Sequence, residues 1–138
     1  MNQYICQKLI EVARAMKGEK STGKSFHVTG IIRQNKIVCI GWNNYNKQHP
    51  AHRFGAYENY KGFTDRFRPG IHSEISAIIK MGQEDLSGYS MVNIRINNNF
   101  QVAMSKCCPN CERVIRQLGL KRLFYTTNLG NFEELNLK

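Results

Sequence analysis

Two short segments of this chain carry side chains whose types and spacing suit a metal centre. The first, Pro69-Gly70-Ile71-His72-Ser73-Glu74-Ile75, offers one imidazole with a carboxylate two residues beyond it. The second, Ser105-Lys106-Cys107-Cys108-Pro109-Asn110-Cys111-Glu112, offers the thiols of Cys108 and Cys111, one helical turn apart. A neutral imidazole and two thiolates leave the fourth corner of a tetrahedral zinc ion to water, which is how catalytic zinc differs from structural zinc. A carboxylate beside that corner, here Glu74, is placed to move protons to and from the water. The alternative is a closed site of His72 with Cys107, Cys108 and Cys111. Adjacent cysteines hold one ion awkwardly, and a closed site leaves Glu74 without work.

The local sequence favours the open site. Pro109 suits the first position of a helix, where a missing N–H costs nothing. Cys108 then stands at the cap and Cys111 lies one turn on along the same face. The positive end of the helix dipole lowers a thiol's pKa and favours the thiolate that zinc requires. His72 opens a second helix after Pro69-Gly70. Five cysteines, an odd number, argue against a disulfide framework, and three of them crowd between positions 107 and 111. Cys6 and Cys39 lie among apolar residues and read as small buried core side chains.

Together the two segments resemble the H-x-E … P-C-x-x-C signature of the zinc-dependent cytidine and deoxycytidylate deaminases, with Cys107 standing where that family has proline. The resemblance implies a Zn2+ cofactor held by His72, Cys108 and Cys111, with Glu74 as the catalytic proton carrier. It also implies that Asn43, in the Gly41-Trp42-Asn43 run, meets the sugar of the substrate, with Trp42 and Ser105 on the substrate side. The expected activity is hydrolytic deamination of a cytosine-type base in a free nucleoside or nucleotide, releasing ammonia. Two other readings stay open: a deaminase of cytosine or adenine in single-stranded DNA or RNA, and a catalytically silent, zinc-stabilised nucleic-acid-binding module. A homo-oligomer is expected from the resemblance alone.

The chain has 138 residues and a net charge of +10, from 20 Lys and Arg against 10 Asp and Glu. That imbalance favours an anionic partner, a nucleotide phosphate or a nucleic acid, although the basic residues are scattered along the whole chain. Hydrophobic content of 41% and charged content of 22% are those of an ordinary globular domain. No apolar run approaches the roughly 18 residues that span a bilayer, and the N-terminus lacks the features of a secretory signal. A cytoplasmic, single-domain protein over 1–138 with no membrane partner is the expectation.

The elements that must position these groups follow from periodicity. Residues 2–17 carry Tyr4, Ile5, Leu9, Val12, Ala13 and Met16 at helical spacing, with Gly18 as the expected stop. The string from Gly18 through Gly23-Lys24-Ser25 fits a phosphate-loop spacing, but that motif needs a strand before it and a helix after it. Here a helix precedes and the strand-like run from Phe26 follows, so the match reads as accidental. Residues 26–33 and 36–42 flank Gln34-Asn35 as a hairpin. Residues 43–71 form a long connection in which Lys47, His49, His52, Arg53, Arg66 and Arg68 alternate with aromatics. Basic groups among aromatics suit phosphate binding with base stacking, so Lys47, Arg53, Arg66 and Arg68, with Lys106, are the candidate phosphate or nucleic-acid contacts. A short helix over 54–61 packing its aromatics inward is the competing reading. His49 and His52 read as solvent-facing histidines rather than a second metal pair.

Beyond it come a helix over 72–82, a strand over 89–96, an extended run over 100–104, a helix over 111–118 ended by Gly119, and strands over 122–127 and 132–137. That order implies a mixed five-stranded sheet covered by helices. It resembles the three-layer α/β/α fold of the cytidine deaminases. About four residues join the last two strands, which must then be antiparallel, since a parallel pair needs a crossover of about a dozen.

Overall fold

The computed structural model describes residues 2–20, 26–43 and 72–137. The long connection with Lys47, His49, His52, Arg53, Arg66 and Arg68, and the end of the phosphate-loop string, lie outside the described residues. In order, the elements are α1 (Gln3–Lys20), β1 (Phe26–Arg33), β2 (Lys36–Trp42), α2 (Ser73–Met81), β3 (Ser90–Ile96), β4 (Val102–Ala103), α3 (Pro109–Gln117), β5 (Arg122–Thr126) and β6 (Phe132–Leu135).

The sheet runs β2-β1-β3-β5-β6, with β4 pairing against the end of β3. β1 is antiparallel to β2 and β3, β3 is parallel to β5, and β5 is antiparallel to β6. The short join between β5 and β6 thus produced the antiparallel pair expected of it. The sheet has six strands rather than five because Val102 and Ala103 add two rungs beside Ile96 and Arg95. Only those two residues of the extended run over 100–104 pair. Phe100 sits at φ 60°, and its N–H donates to Asn97 O at 2.9 Å, so that end is a turn.

Strand alternation divides the sheet's two faces. Val28, Ile32, Val92, Ile94, Ile96 and Phe124 face α1 and pack with its Ile5, Leu9, Ile10 and Ala13. Ile31, Met91 and Leu123 point the other way, against Ile75 and Ile78 of α2 and Val114 and Ile115 of α3. Helix, sheet and helices make three layers. Each such side chain taken wholly from water contributes about 1.5–3 kcal/mol before entropy is counted.

Two local expectations need correction. α1 does not stop at Gly18 but runs to Lys20. Gly18 does not adopt the left-handed conformation of a C-terminal cap, and a helical glycine costs only about 1 kcal/mol. Cys6 and Cys39 are half-buried rather than core residues. Cys39 lies on β2, at the sheet edge, where a strand has one neighbour to cover it. The β1–β2 turn is as anticipated: Gln34 and Asn35 have φ 51° and 62°, the paired left-handed residues that suit the twist of a two-residue hairpin.

Candidate active site

Two helix N-termini meet above the strands. His72 is the N-cap of α2, with φ −72° and ψ 151°, and its ring makes no capping bond. Cys108 is the N-cap of α3, Pro109 follows it, and the Cys111 N–H donates to the Cys108 sulfur at 3.4 Å. The two helices thus bring together side chains that lie 36 and 39 positions apart in sequence. His72 Nδ1 stands 3.7 Å from Cys108 Sγ and 3.4 Å from Cys111 Sγ. All three donor atoms lie within 4.8 Å of one another, and among the described residues no other such group of His, Cys, Asp and Glu exists.

These distances suit zinc. Zn–S near 2.3 Å and Zn–N near 2.05 Å at a tetrahedral angle place N and S about 3.6 Å apart. Cys107 is not in the group: it is buried against α2 and α3 in the core. Burial raises its thiol pKa, with the Glu74 charge adding to the effect. Cys108 is the opposite case. The Cys111 thiol beside it, aided by His72 and the Cys111 N–H, draws it down to about 4. Cys111, whose proton serves the Cys108 sulfur in a buried setting, is pushed well up. A thiol that coordinates a metal loses that proton outright.

Glu74 sits on the first turn of α2, 7% exposed. Burial raises its carboxyl pKa, against the lowering effects of its own N–H, of His72 and of Ser73. The Ser73 hydroxyl donates to Oε1 at 3.0 Å and the Asn93 amide to Oε2 at 3.3 Å. A carboxyl whose pKa is raised, beside a metal site, is suited to accept and return protons.

A cavity of about 140 Å³ opens onto this group, lined by His27, Asn43, Lys106 and Cys108 besides the α2 residues. Beside it β2 packs closely on α2 at Gly41. A Cβ on Gly41 would stand 2.4 Å from Ala77 N and 2.7 Å from Ser73 O, so only glycine fits. Asn43, the next residue but one, is thereby brought to the cavity.

The residues expected on the substrate side part company here. Asn43 and Lys106 line the cavity. Trp42 does not; it is half-buried, with Lys80 Nζ 3.5 Å from its ring centroid. Ser105 is buried, and its hydroxyl donates to Asn93 O at 2.8 Å while accepting from Thr126 N–H at the same distance. Lys47, Arg53, Arg66 and Arg68 fall outside the described residues. Three residues escaped sequence reasoning: His27, Thr29 and Asn93. Strand alternation was the available signal for the first two, since both share a face with core residue Ile31. His27 is kept neutral, its pKa lowered to about 4 by burial first and then by the positive charge of Arg95.

Comparison with known proteins agrees with this geometry. Residues 3–127 match the family model described as the cytidine and deoxycytidylate deaminase zinc-binding region. No curated protein sequence matches the chain. Among solved structures, a dCMP deaminase from the cyanophage S-TIM5, in complex with dCMP and dUMP, aligns with a TM-score of 0.55 at 16% identity, covering 92% of this chain and 84% of that one. A cytidine deaminase from Burkholderia pseudomallei aligns with a TM-score of 0.57 at 14% identity, covering 95% and 91%. At those identities the likeness is one of fold.

Proposed function

Because this chain belongs to the zinc-binding cytidine and deoxycytidylate deaminase family, we propose that it hydrolytically removes the exocyclic amine of a cytosine-type base carried on a free nucleoside or nucleotide. That it is a zinc-dependent deaminase follows from the family and from a ligand group of the right composition. The substrate, the residue roles and a cytoplasmic place in nucleotide metabolism are our reading. One observation carries it: His72, Cys108 and Cys111 present three donor atoms within 4.8 Å, and the buried carboxyl of Glu74 stands two residues from the imidazole.

In this reading His72, Cys108 and Cys111 hold the zinc, three ligands in the pattern of a catalytic site. When bound, the metal supplies a water acidified enough to act as a nucleophile near neutral pH. Glu74 would accept one proton from the attacking water and deliver it to the ring nitrogen. It would then accept the second, from the hydroxyl that this water leaves on the ring carbon, and deliver it to the amine, which departs as ammonia. Two thiolates balance the charge of a divalent ion, which keeps the site from over-stabilising negative charge. The Asn43 amide hydrogen-bonds the sugar at the cavity mouth.

The cavity has room for the base. As bounded by the described residues it measures about 140 Å³. A single base fits that space, leaving sugar and phosphate toward the mouth. Lys106 lines the cavity and is exposed, so it is available to a phosphate. Ammonia release from dCMP, cytidine and a cytosine-containing oligonucleotide, measured side by side with purified zinc-loaded protein, tests the reading. Turnover of dCMP or cytidine well above the oligonucleotide supports it. Preference for the oligonucleotide would replace it with the polynucleotide reading, and tight, steeply salt-dependent polynucleotide binding without ammonia would mark a silent binding module.

A further inference from the structure

We propose that Thr29 and Asn93 are positioning residues that hold the Glu74 carboxylate in one orientation beside the metal site. The inference rests on the reading of Glu74 as the proton carrier, and adds residues that the family signature does not contain. Thr29 on β1 and Asn93 on β3 are direct partners in the antiparallel register. Both point to the face of the sheet that α2 covers. The two side chains are 0% and 2% exposed.

The hydrogen bonds among them have a definite direction. Thr29 Oγ1 lies 2.7 Å from Asn93 Oδ1 and 2.8 Å from Ser73 Oγ, and the second contact is left without a proton because the Ser73 hydroxyl donates to Glu74. A side-chain carbonyl can only accept, so the single Thr29 proton goes to Asn93. That bond turns the other end of the Asn93 amide toward Glu74, where Nδ2 donates to Oε2 at 3.3 Å. Ser73 donates to Oε1 at 3.0 Å. Each carboxylate oxygen therefore has a neutral donor behind it, and Thr29 selects which way the Asn93 amide faces. The main chain of Asn93 is tied as well: Ser105, three residues before Cys108, donates its hydroxyl to Asn93 O at 2.8 Å. The loop that delivers the cysteines and the strand that orients the carboxylate thus share one anchor.

Proton transfer needs the carboxylate within hydrogen-bond reach of its partner, and a misplacement of about 1 Å can cost about 10²-fold. Neither Thr29 nor Asn93 lines the cavity, so neither should alter substrate binding. Thr29→Val keeps the shape and removes the hydroxyl, and Thr29→Ser restores it. The expected result is a kcat lower by about tenfold in Thr29→Val and about a hundredfold in Asn93→Leu. KM should stay within about twofold, zinc content should be unchanged, and Thr29→Ser should recover most of the lost rate. Crystal structures of the zinc-loaded variants should show the Glu74 carboxylate rotated from its wild-type position.

An unmoved carboxylate in both variants, or an unchanged kcat, overturns the proposal. Loss of zinc and turnover together in Thr29→Val also overturns it, because the role would then be general to the fold. Should Asn93→Leu fail to fold, the Thr29 pair decides. If wild-type protein releases no ammonia from any cytosine substrate, the function fails separately, and the carboxylate position in the crystals alone decides this inference.

Discussion

The main chain of His27 and residue Asn43 are joined by a reciprocal pair of hydrogen bonds: the Asn43 N–H donates to His27 O at 3.2 Å, and the His27 N–H donates to Asn43 Oδ1 at 2.9 Å. The pair extends the β1–β2 ladder by one rung using a side chain. Its consequence is chemical. With Oδ1 engaged, Asn43 offers the cavity its amide N–H groups, so it suits a hydrogen-bond acceptor such as a sugar oxygen. Asn43→Ala should raise KM by about tenfold, the worth of a lost hydrogen bond of about 1.4 kcal/mol, with a smaller effect on kcat. Steady-state kinetics on the preferred substrate checks this.

His27 itself makes the fold sensitive to acid. Its pKa falls from 6.5 in an exposed chain to about 4 in the fold. Protonation therefore favours the unfolded state. The contribution is fully present above about pH 6.5 and is lost as pH falls toward 4. Melting temperature should fall more steeply between pH 7 and pH 4.5 in the wild type than in His27→Gln, measured in matched buffers. Equal slopes would refute it.

Glu74→Gln keeps the size of the side chain and removes its ability to take a proton. Turnover should drop by about 10²–10⁴-fold, the usual worth of general acid–base catalysis. Bound zinc, read by elemental analysis, should be unchanged. A variant with near-normal ammonia release would remove Glu74 from the mechanism.

The three proposed ligands and Cys107 separate in a simple assay. His72→Ala, Cys108→Ala and Cys111→Ala should each lose zinc and melt lower than wild type. A metal at a thousand times its Kd stabilises a fold by about 4 kcal/mol, so a chelator should lower the wild-type melting point while barely moving those variants. Cys107→Ala should retain zinc and cost about 1 kcal/mol of core packing. Retention of zinc by Cys108→Ala, or its loss from Cys107→Ala, would reassign the ligands.

Gly41→Ala tests how the strand positions the helix. The added methyl would press on backbone atoms of α2 at 2.4 to 2.8 Å, and backbone cannot rotate aside. Overpacking of this kind costs about 1–3 kcal/mol. Because the displaced turn carries Ser73 and Glu74, activity should fall along with the melting temperature. A variant of wild-type stability would show that α2 shifts freely.

Much of the site was legible in the chain. The pairs His72–Glu74 and Cys108–Cys111 each lie within one helical turn, Pro109 opens its helix as expected and Gly82 caps the other, so their geometry is local. Periods of two and 3.6 likewise located the hairpin and both later helices, and the short join between the last two strands fixed them as antiparallel. Readings that depended on a distant neighbour were another matter. Ser105, expected near substrate, has its hydroxyl on Asn93 O and Thr126, and α1 continued past the glycine expected to end it.

What the amino-acid order by itself determined is the inventory: an imidazole, two thiols, a carboxyl, and the helix starts that display them. What only the tertiary structure decided is which of the many other polar residues stand behind them. Thr29 and Asn93 lie 64 positions apart and carry no local signature, and they become partners only because β1 and β3 pair in one register. Register is a collective property of two buried sheet faces, and a slip of one residue in either strand would turn that strand's side chain to the opposite side and part the pair.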